Sequence, residues 1–111
     1  LLGMRIDIRS KRPILRNNVG GMSGPAVFPI AVRMVWQVSN AVSIPVIGMG
    51  GVDSGAAAME MMLAGASAVQ VGAAIFTDPY APVRIVEELQ ALLEEQHIAD
   101  VKELIGAVKP W

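Results

Sequence analysis

Apolar and polar positions alternate over residues 4–9, Met-Arg-Ile-Asp-Ile-Arg, and this period of two predicts a half-buried strand. Ser10 to Pro13 breaks the run, and Ile14-Leu15 is placed to return as its hairpin partner. A turn-rich loop follows from Asn17 and ends in Gly20-Gly-Met-Ser-Gly-Pro25. The spacing then becomes helical. Ile30, Met34, Val38 and Ala41 predict a helix from about Pro29 to Val42, with Pro29 in its first turn.

Beyond Val42 the pattern changes to short apolar runs that end in small residues. Val46-Ile47 predicts a buried strand, and Asp53 or Ser54 offers an N-cap to a helix that runs to Ala64 and stops at Gly65. Ala68 to Val71 predicts a second strand, apolar on both faces as parallel strands in α/β proteins tend to be. Asp78-Pro79 has the form of a cap and first turn for a long helix with Ile85, Val86, Leu89, Leu92 and Leu93 on one stripe. Asp100 and Glu103 have capping-box spacing and predict a last short helix, which Gly106 can end.

The order helix, strand, helix, strand, helix, helix, with short connections, predicts parallel crossover units. Two parallel strands neither close a barrel nor finish a sheet, so at least one edge is left unpaired. The expected fold is therefore α/β: residues 1–111 as the C-terminal part of a single β/α barrel domain. It comprises the last two βα units with a preceding hairpin, loop and helix, and is incomplete on its own. The start at Leu1-Leu-Gly3, with no initiator Met and no signal-peptide pattern, fits a piece of a longer chain.

Composition narrows the functional classes. Hydrophobic residues make up 53% and charged residues 17%, more apolar than an average soluble domain, so part of the apolar surface is expected to meet other structure. A net charge of −1 argues against general nucleic-acid binding. The absence of cysteine removes disulfides, zinc–thiolate sites and a cysteine nucleophile from this chain. Gly, Pro or charge interrupts every apolar stretch well before the roughly 20 residues that span a membrane.

The candidate chemistry lies at the ends of the two strands. Gly48-Met-Gly-Gly51 and Gly72-Ala-Ala74 place small residues where a β/α unit turns. Without a Cβ in the way, two sets of backbone N–H donors converge on phosphate oxygens. The loops after the last two strands form the phosphate position of many β/α barrels, and the positive end of the helix after Gly51 adds to it. The bland alternative is that both are simple tight turns. The Gly20–Gly24 loop lacks the Gly-Lys-Ser/Thr of a triphosphate loop. His97, the only histidine, is placed as a helix-end or surface residue, Trp36 as helix packing and Trp111 as a terminal contact. Met59, Met61 and Met62 read as core filler, not a metal site. Arg9, Lys11, Arg12 and Arg16 form a basic cluster, either a solvated hairpin face or a contact for a partner or anion.

Three motifs, Asn17-Asn-Val-Gly-Gly-Met-Ser-Gly-Pro-Ala26, Ile47-Gly-Met-Gly-Gly-Val52 and Leu63-Ala-Gly-Ala-Ser-Ala-Val-Gln-Val-Gly72, together resemble the dihydroorotate dehydrogenase family. Within it, the chain is most similar to the class 1B, NAD-linked catalytic subunits. The resemblance implies a cytoplasmic flavoprotein with a (β/α)8 TIM barrel that oxidises dihydroorotate to orotate in pyrimidine biosynthesis. It implies FMN as the cofactor, contacted by Gly24, Gly50, Gly51, Gly72 and Ala73, mainly at the phosphate and ribityl chain. Ala73 stands where the family usually has Thr, which removes a hydroxyl donor and keeps the backbone N–H. It further implies a homodimer of catalytic subunits joined to an electron-transfer subunit carrying FAD and a 2Fe-2S cluster, a heterotetramer, with NAD as final acceptor. The family's general base is a cysteine, so no catalytic residue, and no metal ligand, is assigned to this chain. Its flavin lysine and orotate-binding Asn-Thr pair would lie upstream, and the chain alone is expected to be inactive. Other FMN barrels, such as dihydrouridine synthases or nitronate-type oxidoreductases, share the phosphate cradle.

Overall fold

A computed structural model describes all of residues 1–111. The chain opens with four two-residue strands, β1 (Leu2–Gly3), β2 (Ile6–Asp7), β3 (Arg12–Pro13) and β4 (Gly20–Gly21), paired antiparallel as β1 with β4 and β2 with β3. The hairpin turn is closed by Asp7, whose carboxylate accepts from the N–H of Arg9 at 3.0 Å and from the hydroxyl of Ser10 at 2.7 Å. The Ser10 hydroxyl, and then the backbone N–H groups, hold the Asp7 carboxyl below its ordinary pKa. The strand expected over residues 4–9 is thus shorter than its alternation implied, because this Asp turn claims residues 7–10. Its partner is residues 12–13, and the pairing reaches Ile14 only through its N–H to the Arg5 carbonyl.

A single 3-10 turn at Pro25–Val27 leads into α1 (Phe28–Ala41). The helix sits where the spacing placed it, but a different row faces inward. Phe28, Ala31, Val32 and Val35 pack on the core, while Met34 and Val38 are exposed. Ala31 decides the choice, since the turn at Gly50 comes so close that an added Cβ there would lie 2.9 Å from the Ala31 Cβ.

The core is one parallel β–α–β unit with helices around it. β5 (Ile47–Met49) pairs with β6 (Ala68–Gln70) in the register Ile47 to Ala68, Gly48 to Val69 and Met49 to Gln70. Between them α2 (Gly55–Leu63) is buried on nearly every side, with Ala58 and Met61 inaccessible to solvent. Ser54 caps α2, its hydroxyl accepting from the N–H of Ala57 at 3.2 Å, and Gly65 ends the helix region at φ 123°. Replacing Ser54 with alanine is expected to lower the stability of the intact protein by about 1 kcal/mol in urea unfolding. An unchanged midpoint would show that the cap is dispensable.

Two helices follow β6. The short α3 (Ala74–Thr77) has no clear signal in the hydropathy pattern. The long α4 (Ala81–Glu95) starts after Tyr80, later than Asp78-Pro79 implied, because Pro82 is the proline that occupies its first turn. Asp78 instead accepts from the N–H of Tyr80 at 3.0 Å. α4 buries Ala81 and Ile85 and packs Leu89, Leu92 and Leu93 on the core, leaving Val86 in solvent. Gly55 is required at the crossing of α2 and α4, since a Cβ there would lie 2.5 Å from the Leu89 nitrogen. The terminal segment makes a 3-10 turn at Val101–Leu104 in place of the expected helix, with Asp100 and Glu103 in the reciprocal cap that their spacing predicts. Leu104 joins Met59 and Met62 in a second small cluster. His97 ends α4 exposed, at φ 57°, and Trp111 is solvent-exposed with no packing contact of the kind expected for it.

The molecule is elongated, 55 × 33 × 25 Å, with a Cα radius of gyration of 16.5 Å. A compact domain of about 100 residues has a radius of about 13 Å. Both outer edges of the β5–β6 pair lack a strand neighbour, and Ile47 and Met49 face solvent. No helix is long and apolar enough to cross a membrane.

Candidate functional site

The C-terminal ends of β5 and β6 open into a cavity of about 610 Å³. Its walls are Met22 to Gly24 and Val27 from the loop before α1, Met49 to Gly51 from the first tip, and Gln70 to Ala73 from the second. All five candidate residues, Gly24, Gly50, Gly51, Gly72 and Ala73, therefore line one cavity, although 49 residues of sequence separate the first from the last. A second cavity of about 440 Å³ adjoins it and shares Gly24, Gly51, Gly72 and Ala73. Both volumes fall in the range of small-molecule sites.

The glycines are there for space and for backbone angle. Gly51 has φ 75°, and a Cβ on it would lie 2.6 Å from the Gly24 carbonyl oxygen and 2.9 Å from the Phe28 Cβ. Gly50 has φ 117°, a conformation that side chains rarely adopt. Gly24, at φ 87°, turns the loop toward the first tip. Gly72 differs: nothing lies within 4 Å of its added Cβ. The N–H groups of Gly50, Gly51, Gly72 and Ala73 donate to no backbone or side-chain acceptor in the protein. Four residues whose N–H groups have no acceptor in the protein thus line one cavity, and unpaired backbone amides are the donors that oxyanion nests use.

The donor set differs from the expected one in two respects. The N-terminal end of α2 is already engaged, because Glu88 Oε2 accepts from the N–H of Gly55 at 2.6 Å. The short α3 directly follows the second tip instead. Pattern reading missed α3 because four residues are too few for periodicity to register.

Two charged residues, Asp53 and Arg84, lie on the wall of the smaller cavity, and Arg84, its only basic one, was not singled out by sequence reading. Its Nη1 meets Glu88 Oε1 at 2.8 Å, its Nε meets Asp78 Oδ2 at 3.0 Å, and its Nη2 donates to the Asp53 carbonyl at 3.2 Å. The bonds to Glu88 and then Asp78 raise the Arg84 pKa further. The Gly55 N–H first, and Arg84 second, hold the Glu88 carboxyl below its ordinary value. The spacing Arg84 to Glu88 marks a helical ion pair, but the reach to Asp53 and Asp78 is visible only in three dimensions. No group of three or more His, Cys, Asp or Glu side chains is placed to hold a metal ion.

Comparison with known proteins bears on this geometry. The family model described as dihydroorotate dehydrogenase matches residues 1–93. The chain is 62% identical over 109 residues to the catalytic subunit of dihydroorotate dehydrogenase B (NAD(+)) from Geobacter metallireducens, and 61% identical to that from Geobacter sulfurreducens. In both cases 98% of this chain is covered, and the chain spans 36% of the relative's length. Among solved structures, a dihydroorotate dehydrogenase from Eimeria tenella in complex with ferulenol superposes with a TM-score of 0.77 at 27% identity. That superposition covers 95% of this chain and 29% of the other. The α/β arrangement seen here is thus one part of the fold of those larger enzymes. With its motifs, its fold and its family match in agreement, the chain belongs to the dihydroorotate dehydrogenase family.

Proposed function

We propose that residues 1–111 hold the phosphate and ribityl chain of FMN in a barrel enzyme that oxidises dihydroorotate to orotate in pyrimidine biosynthesis. The observation that carries this reading is the convergence of Gly24, Gly50, Gly51, Gly72 and Ala73 on one cavity with four free N–H donors. The fit to a flavin phosphate is chemical as well as spatial. Gly51 leaves no room for a side chain, because a Cβ there would collide with the Gly24 carbonyl and Phe28, and the backbone supplies donors without an acidic side chain on the larger cavity. Gly51, Gly72 and Ala73 would take the phosphate, and Gly24 and Gly50 would border the ribityl chain. Ala73 keeps the N–H that this role needs.

When bound, FMN supplies the two-electron acceptor for the substrate. The residues of this chain bind and orient it, exclude side chains from the phosphate position, and move no proton. The proton acceptor implied by the family resemblance is a cysteine, and this chain contains none. These residues alone would therefore not turn over dihydroorotate. In the assembled protein, a cytoplasmic homodimer of catalytic subunits passes electrons through an FAD and 2Fe-2S subunit to NAD. The two parallel strands are read as the last two of the barrel.

Purified intact protein is expected to retain about one FMN per chain, identified by mass after acid release, and to reduce NAD with dihydroorotate once the electron-transfer subunit is added. An intact protein that takes up no flavin at saturating FMN would overturn the reading.

A further inference from the structure

We propose that Arg84 is a positioning residue for the flavin phosphate, tying the segment behind the first glycine tip to the segment behind the second. The inference rests on the FMN reading above. Besides the apolar packing of Val52, Val71, Ala74 and Ala81 in one core cluster, two things set the spacing of the tips. On the strand side it is the β5–β6 ladder, which ends at Met49 and Gln70. Beyond the ladder no backbone hydrogen bond joins residues 50–55 to residues 71–80. The link there is Arg84. Its Nη2 holds the Asp53 carbonyl, two residues past Gly51, and its Nε holds Asp78, six residues past Gly72. Its Nη1 holds Glu88, whose other oxygen accepts from the Gly55 N–H. One guanidinium thus reaches both segments that leave the tips, and Asp78 passes the restraint on to the N–H of Tyr80 at 3.0 Å.

The bland reading is a pair of surface ion pairs. The side chains are 42%, 38% and 39% exposed, so solvent screens them and their contribution to global stability is small. That reading leaves the third bond, to the Asp53 carbonyl, without a role. Direct contact of Arg84 with the anion is also disfavoured. Two carboxylates already surround its single positive charge, so the cluster presents net negative charge to a phosphate. Arg84 acts through the backbone it holds. A lysine cannot replace it fully, because one ammonium does not span three acceptors arranged around a planar fork.

The test is FMN titration by flavin fluorescence of intact apoprotein, with thermal midpoints measured in parallel, for the wild type, Arg84→Met, Arg84→Lys and Glu88→Gln. Arg84→Met should raise the FMN Kd about tenfold, the scale seen when the outer partners of a binding site are removed. Its apoprotein midpoint should stay within about 2 °C of wild type. Arg84→Lys should recover part of the affinity. Glu88→Gln, which keeps an acceptor for Gly55, should lose less than Arg84→Met. The gap between wild type and Arg84→Met should narrow in about 1 M salt, where the screening length falls to about 3 Å. An unchanged Kd in Arg84→Met overturns the proposal. So does a loss of affinity matched by a large drop in the apoprotein midpoint, which would mark a general structural role. Failure of the wild type to bind FMN would instead remove the FMN reading itself, and this inference with it.

Discussion

Replacing Gly72 with valine in the intact protein is expected to weaken FMN binding on the order of 100- to 10,000-fold while leaving the thermal midpoint within about 2 °C. The two effects separate because of where the side chain goes. Gly72 does not have a positive φ, and its added Cβ meets nothing within 4 Å, so the fold accepts a branched residue there. Gly72 lines both cavities at the tip of β6, so a side chain there is expected to take up part of that space. A phosphate displaced from that space loses roughly two charge-assisted hydrogen bonds, at about 1.5–3 kcal/mol each. Titration calorimetry and a thermal melt on the same preparation check both halves. Normal affinity in the variant would mean that the anion sits elsewhere.

Gly51→Ala should behave in the opposite way, losing stability and flavin together. Here the methyl group has no room, with the Gly24 carbonyl oxygen 2.6 Å and the Phe28 Cβ 2.9 Å from its position. The backbone at φ 75° adds its own cost of about 1–2 kcal/mol for any L residue. Moving the loop before α1 aside raises the total to roughly 2–4 kcal/mol. Because that loop carries Gly24, one wall of the cavity moves with it. Urea unfolding and flavin content should therefore fall in parallel. A variant as stable as wild type would show that the contact between the first tip and Gly24 yields easily. The pair of variants distinguishes a filled site from a displaced wall.

The sequence made some of this plain and hid the rest for identifiable reasons. The two glycine tips and the stop at Gly65 were legible, and the α2 cap was narrowed to Asp53 or Ser54, because each is set by a few neighbouring residues. The inward row of α1 was not. Two apolar rows compete on that helix, and the winner depends on the approach of Gly50, which comes from another element. The start of α4 was misplaced because Pro79 and Pro82 both suit a first turn, and only the Asp78 bond to Tyr80 shows which one takes it. The engagement of α2's first N–H by Glu88 joins residues 33 positions apart, which no local pattern reports. In the site, the glycines announced themselves by composition. Arg84 did not, since its roles toward Asp53 and Asp78 depend on how α4 crosses the tips.

The larger cavity has no Asp, Glu, His, Lys or Arg among its lining residues. Its donors are amides, which neither gain nor lose a proton over the physiological range. A site built this way is blind to acidity: its own charge state is the same at pH 5 as at pH 8. The bound phosphate is not blind, since its second proton leaves near pH 6. Whatever these amides contribute to cofactor retention across that range then changes only with the ligand's ionisation, this wall of the site acting as a fixed array of dipoles.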